Sequence, residues 1–180
     1  MTLLSSERIY TGRVLNLDLD TVEFPNRSTG KLEMIRHPGA AAVLPFLDDP
    51  ASDNPQVVLI RQFRHATDDF VYEIPAGRLD AGESPETCAQ RELEEETGYS
   101  STVLSRLTTI YTTPGFTDER IHLFVASGLT QGQHRREADE FMEVHALPWS
   151  EVLTMIKNGK IVDGKTISTI LFVQCFVKKD

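Results

Sequence analysis

Four glutamates crowd one short stretch, Glu92-Leu93-Glu94-Glu95-Glu96, in a chain of 180 residues. At about 100° per helical residue, Glu92, Glu95 and Glu96 fall within one narrow face and Glu94 points away. Like charges at that spacing cost an isolated helix ~0.2–0.5 kcal/mol per pair, so the face calls for a counter-charge. A divalent cation would supply it. Hard cations take carboxylate and carbonyl oxygens, and magnesium keeps several waters and shares a substrate phosphate. Such an ion neutralises a diphosphate, polarises phosphorus and lowers the pKa of a bound water. Taken alone, a glutamate-rich run is more often a solvated face of a good helix former. The residues around it decide.

Those glutamates must sit on a helix, and the sequence frames one. Ser84-Pro85 opens it, with serine as N-cap and proline in the first turn, and Gly98 closes it. Upstream, Leu15, Leu17 and Leu19 alternate with polar residues as a half-buried strand, and the phase slips to Val22 and Phe24, which predicts a bulge near Asp20–Thr21. The 25–30 stretch is a turn, and residues 31–37 return as the second strand of a hairpin. Residues 40–47 are apolar enough to be buried on both faces. Further strands are expected at 57–63, 70–74, 104–112, 121–127 and 141–147. Ser150 is read as the cap of a helix ending at Gly159, and residues 167–177 as a last amphipathic helix. The expected organisation is an α/β (α+β) sandwich with a mixed sheet at residues 39–180, preceded by a β-hairpin sub-structure at residues 1–38.

Composition narrows the function. Hydrophobic residues make up 40% and charged residues 25%, near globular averages, so one folded domain is expected. No apolar run reaches membrane-spanning length, and the N-terminal stretch carries Glu7 and Arg8 without an apolar core, so neither a span nor a signal peptide is expected. The formal charge of −9 disfavours nucleic-acid binding, because no basic stripe is present. An acidic chain acting on a phosphate compound needs local arginines or a metal. Cys88 and Cys175 match no metal spacing and are read as reduced, buried residues of a cytoplasmic protein.

Around the acid run stand Gly77, Glu83, Arg91, Glu92, Leu93, Glu95, Glu96 and Gly98. Their spacing resembles the Nudix box, Gly, five residues, Glu, seven residues, Arg-Glu-bulky-x-Glu-Glu-x-Gly-bulky. Tyr99 departs from it, standing where an aliphatic residue is usual, and a packing difference without loss of chemistry is expected. The resemblance implies a Nudix-type α/β/α sandwich that hydrolyses the diphosphate bond of a nucleoside diphosphate derivative with magnesium, manganese being a possible substitute. It makes Glu92 and Glu96 the principal metal ligands, Glu95 a further ligand or water-holding group, and the carbonyl of Ala76 another ligand. Glu83 and Arg91 become a structural pair bracing loop against helix, as a bidentate arginine can.

The flanks are similar to the ADP-ribose pyrophosphatase group. Arg61-Gln62-Phe63-Arg64 and Glu73-Ile74-Pro75-Ala76-Gly77 precede the box, and Pro114-Gly115-Phe116 follows fifteen residues beyond Tyr99. A proline near that offset marks ADP-sugar specificity within the family. The resemblance implies in-line attack of metal-activated water on ADP-ribose, giving AMP and ribose 5-phosphate. It implies substrate contacts from Glu33, His37, Arg61, Arg64, Arg78, Thr113, Gly115 and Phe116, and a homodimer whose hairpin completes the partner's site. Leu32 stands where an adenine-stacking aromatic would be sought. The acidic stretch with Glu137, Asp139 and Glu140 resembles a loop supplying a late carboxylate, and Glu140 aligns as ligand or general base. Arg61 and Arg64 as plain surface residues, Pro114-Gly115 as a plain turn and a solvated acidic loop are the bland alternatives. Hydrolysis of another nucleotide sugar, a flavin dinucleotide or an oxidised nucleotide is the runner-up; an inactive nucleotide-sensing module is disfavoured by the intact acid cluster.

Overall fold

The computed structural model describes residues 1–132 and 141–178. The N-terminal segment forms three strands, not two: β1 (Thr2–Thr11), β2 (Asn16–Glu23) and β3 (Thr29–Arg36), each antiparallel to the next. β1 carries no clean apolar alternation and is exposed along its length, so periodicity could not reveal it. The predicted bulge in β2 is absent, for β2 and β3 pair unbroken from Asn16↔Arg36 to Glu23↔Thr29. The irregularities lie on β1, where one extra residue falls between Leu3 and Ser5, opposite Val22 and Thr21, and another between Arg8 and Tyr10, opposite Asp18 and Leu17.

The buried face of β2 also differs from expectation. Asp18, Asp20 and Val22 are buried, whereas Leu17 and Leu19 are only half-buried. Charge pairing makes this possible, since a buried carboxylate must be matched. Arg8 pairs with Asp18, and Arg36 pairs with Asp20 and reaches Asp18 at 3.1 Å. Beside the Arg8 guanidinium, the Asp18 carboxyl is held below its usual range.

The main body is built on β4 (Ala40–Pro45), buried over its whole length. It runs parallel to β9 (Arg120–Gln131) and antiparallel to β7 (Ala76–Arg78), and β9 pairs with β8 (Tyr99–Tyr111). A second sheet has the order β10 (Met142–Pro148), β5 (Gln56–Arg64), β6 (Asp69–Glu73). The two faces of β4 meet different helices, as alternation requires. Ala40, Ala42 and Leu44 join Trp149, Val152, Met155, Ile170 and Val173, from α2 (Trp149–Lys157), α3 (Gly164–Phe172) and the turn after α3. Ala41 and Val43 join Cys88, Ala89 and Leu93 on the other side, with Tyr99 packed against them. The result is a mixed-sheet α/β/α sandwich.

Two helix readings are corrected. Ser150 is not a cap: Pro148 holds that position and makes no side-chain cap bond, and the Ser150 amide donates instead to Asn54 Oδ1 at 2.8 Å. The last helix begins earlier than residue 167, because Asp163 caps it by accepting from the Thr166 amide at 2.9 Å. Cys175 is exposed rather than buried, while Cys88 is buried, and both are free thiols. No helix among the described residues is long and apolar enough to cross a membrane.

Candidate active site

The acid-bearing helix α1 (Pro85–Glu92) starts where Ser84 Oγ accepts from the Thr87 amide at 3.1 Å and Pro85 pre-sets the first turn. It does not run as a plain α-helix to Gly98. Beyond Glu92 the chain widens into a π-type turn, Leu93–Thr97, and Gly98 ends it in the left-handed region at φ 77°. A left-handed residue there favours glycine, and the Gly98 amide donates back to Glu94 O at 2.9 Å. Such widened turns recur at functional sites. Here the widened turn carries Glu95 and Glu96, while Glu92 ends the regular part of the helix.

Strand β7 lies against this helix. A Cβ on Gly77 would stand 1.7 Å from Glu92 Oε1, so a side chain there would displace that carboxylate from its present place against the strand. One residue earlier, the Ala76 amide donates to Glu96 Oε2 at 3.0 Å. Glu92 and Glu96 are buried, 8% and 4% exposed, and Glu95 is half-buried. Arg91 organises the rest. Its Nε and Nη2 donate to the two oxygens of Glu83, each at 2.9 Å, while Nη1 donates to Glu92 Oε1 at 2.6 Å and Glu95 Oε2 at 3.0 Å. The Arg91 guanidinium holds the Glu83 carboxyl down at about 2, and its carboxylate partners, Glu83 foremost, raise the pKa of Arg91 in turn. Burial, with Glu83 and Glu92 nearby, pushes the Cys88 thiol up to about 12, which keeps it protonated and unreactive.

These groups open on a cleft of about 590 Å³ whose walls include Glu92, Glu95, Glu96, Ala76, Arg64, Arg78 and His37. The His37 amide donates to Asp118 Oδ1 at 2.9 Å, and its Nδ1 accepts from the Gly39 amide at 3.1 Å, which fixes the ring at the cleft edge. Other expected residues lie elsewhere. Arg61 faces a separate cleft with its guanidinium 4.3 Å from the Phe70 ring centre and 3.3 Å from Glu143. Glu33 is exposed on β3 and does not line the acid-bearing cleft. Thr113, Gly115 and Phe116 form the turn after β8, also outside its walls, where Phe116 O accepts from the Ile35 amide at 2.8 Å and ties the turn to β3. Glu137, Asp139 and Glu140 lie outside the described residues.

Sequence reasoning missed Arg13 and Val14, which the β1–β2 turn brings to the cleft wall, Arg13 O accepting from Arg78 Nη1 at 3.1 Å. A lone arginine in a turn carries no periodic signal. It missed Gln62 as well, although Gln62 lies between the two arginines that were singled out.

Among the described residues, no three His, Cys, Asp or Glu side chains converge tightly enough to ligate one ion, and Arg91 spans Glu92 and Glu95 instead. The donor set nevertheless has the chemistry of a hard divalent cation site. Its oxygens are carboxylates, Gly77 leaves a cradle for one of them, and the buried Gln62 Oε1 has no hydrogen-bond partner among the described residues.

The mixed sandwich holds its acid helix braced by an arginine and laid against a glycine-bearing strand, and the NUDIX domain matches residues 36–169. The chain belongs to the Nudix family. It is 39% identical to the ADP-ribose pyrophosphatase of Bacillus subtilis (strain 168), over 95% of this chain and 91% of that protein. It is 40% identical, over the same shares, to the methanol dehydrogenase activator of Bacillus methanolicus. A crystal structure of an ADP compounds hydrolase shares the fold, with a TM-score of 0.81 and 22% identity over 96% of this chain and 91% of that one.

Proposed function

We propose that this chain is a divalent-metal-dependent hydrolase of ADP-ribose, cleaving its diphosphate to AMP and ribose 5-phosphate. The observation that carries the reading is the single cleft in which Glu92, Glu95 and Glu96 face the cations Arg64 and Arg78. Carboxylates alone would repel a diphosphate, and arginines alone would bind it without reaction. Glu92, Glu95, Glu96 and the Ala76 backbone would hold magnesium, or manganese in its place, which supplies neutralisation of the diphosphate and a lowered pKa for water. Arg64 and Arg78 hold phosphate oxygens, and His37 sits at the edge where the rest of the substrate extends. Water oxygen bonds to one phosphorus, the bridging P–O bond breaks, and a carboxylate takes the proton. Glu140 is the proposed acceptor of that proton. The name of the Bacillus subtilis relative supports ADP-ribose as the substrate.

The proposal includes a homodimer in which residues 1–38 of one copy complete the site of the other, which would give Glu33 and Arg61 a substrate to meet. The exposed apolar residues Leu3, Leu4, Ile9 and Tyr10 on β1 support it. Chromatographic assay of nucleoside monophosphate formed from a panel of nucleoside diphosphate derivatives, with magnesium, manganese or chelator, tests the chemistry. ADP-ribose is expected to be turned over fastest. A preference for another nucleotide sugar or a flavin dinucleotide would overturn the substrate, and turnover undiminished by chelator would overturn the metal.

A further inference from the structure

Glu73 is the least exposed carboxylate among the described residues, 2% exposed at the end of β6. It is gripped from two sides. From the end of β5, Arg64 donates through Nε to Oε1 at 2.6 Å and through Nη2 to Oε2 at 2.8 Å, a fork meeting a fork. From the first turn of α3, Lys165 bonds Oε2 of the same carboxylate, and Lys165 itself lies 3.1 Å from Asp163. Thr166 closes the knot, accepting from the Ile74 amide at 2.9 Å and donating to Asp163 at 2.6 Å. Two cations and two carboxylates thus weld the ends of β5 and β6 to the start of α3. Burial pushes the Glu73 carboxyl up, but bonds from Arg64 and Lys165 together hold it below its ordinary value.

Arg64 is unlike the other members, because it also lines the acid-bearing cleft and its side chain is 42% exposed. A guanidinium is rigid and planar, so fixing Nε and Nη2 on Glu73 also fixes where Nη1 lies. A loose surface arginine would lose side-chain freedom on meeting an anion, and this one has already lost it.

We propose that Glu73 is a positioning residue for the reaction: it sets the Arg64 guanidinium in the orientation that holds the substrate's diphosphate, and Lys165 keeps Glu73 in place. This rests on the reading of the cleft as a nucleoside-diphosphate site. A purely structural knot would lower stability when broken and leave substrate affinity alone. A positioning role couples Glu73 to Arg64 in substrate affinity.

The test is a double-mutant cycle on the full chain with Glu73→Gln and Arg64→Met, folding being checked by circular dichroism and thermal melting. KM and kcat for ADP-ribose are measured with magnesium, and binding of ADP-ribose and inorganic pyrophosphate by calorimetry. Arg64→Met is expected to raise KM or weaken binding roughly ten- to a hundredfold. Glu73→Gln alone should give a loss of similar size, with kcat changed less than KM. In the Arg64→Met background it should add little, because the group it positions is gone. Unchanged affinity in Glu73→Gln, or the same loss in both backgrounds, overturns the inference. Should Glu73→Gln fail to fold, Glu73→Asp replaces it; retracting the carboxylate should still weaken binding, less severely, and only when Arg64 is present. A native chain that binds either probe without hydrolysing ADP-ribose refutes the function and leaves the cycle readable by calorimetry. Failure of the native chain to bind either probe overturns both.

Discussion

The Glu92 carboxylate occupies the space where a side chain at Gly77 would begin, since an added Cβ would fall 2.1 Å from the Glu92 carboxyl carbon and 1.7 Å from Oε1. Gly77→Ala must therefore push Glu92 off the β7 backbone. With displacement of a group that stabilises charge in the transition state, kcat is expected to fall about 10²–10³-fold. Steady-state kinetics with saturating magnesium measures it, and near-native turnover would show that Glu92 is not a ligand.

Glu96→Gln tests a different carboxylate. Glutamine can still accept from the Ala76 amide, so the local fold should survive. The charge is lost, and turnover is expected to drop by at least about 10²-fold with a native circular dichroism spectrum. Full activity of that variant would remove Glu96 from the site.

Acid sensitivity should follow from Glu83. Its carboxyl is lowered from 4.5 to about 2 by Arg91. A depressed carboxylate contributes stability that is present above its unfolded value and is lost as pH falls through its folded value. The gap in stability between the native chain and Glu83→Gln should then narrow between about pH 4.5 and about pH 2. Urea unfolding at about pH 6 and about pH 3 measures it. Parallel curves for the two proteins would contradict the pairing.

Glu140 is tested by chemistry. Loss of a general base costs ~10²–10⁴ in rate, so Glu140→Gln should lower kcat by that order. Excess magnesium that restores the rate would make Glu140 a ligand instead. No change in either quantity would point to another carboxylate.

Deleting residues 1–37 should turn a dimer into a monomer with poor affinity for ADP-ribose. Light scattering on the native chain comes first. A monomer with full activity would end the idea of a shared site.

Much of the acid cluster was legible because its signal is local. Glu83, Arg91, Glu92, Glu95 and Glu96 lie within one helix and the loop before it, so spacing along the chain nearly equals spacing in space. The widened turn at Leu93–Thr97 escaped because hydrophobic periodicity is too coarse to separate a π-type from an α-type turn. Asp18 and Asp20 misled for a related reason. Alternation was read correctly, but the buried side was assigned to the leucines, and the pairing with Arg8 and Arg36, helped by Ser6, makes the opposite choice favourable. Neither arginine is near those aspartates in sequence. The same holds for Lys165 and Glu73, which meet from α3 and β6. Contacts between distant carriers of charge leave no pattern in a single sequence.

Alanine contributes little apolar area, yet three of the first positions of β4 are alanines, and Ala41 meets the acid helix while Ala40 and Ala42 meet the opposite layer. A small side chain there acts as a shim. The volume at position 41 sets how closely α1 approaches the sheet, and so how deeply Glu92 reaches toward Gly77. A heavier residue at 41 would register at the carboxylates before it registered as general instability, whereas one at 40 or 42 would press on α2 and α3, away from them. Tolerance to substitution should thus be lopsided along a single strand, alternating residue by residue between the layer that carries the chemistry and the layer that supports it.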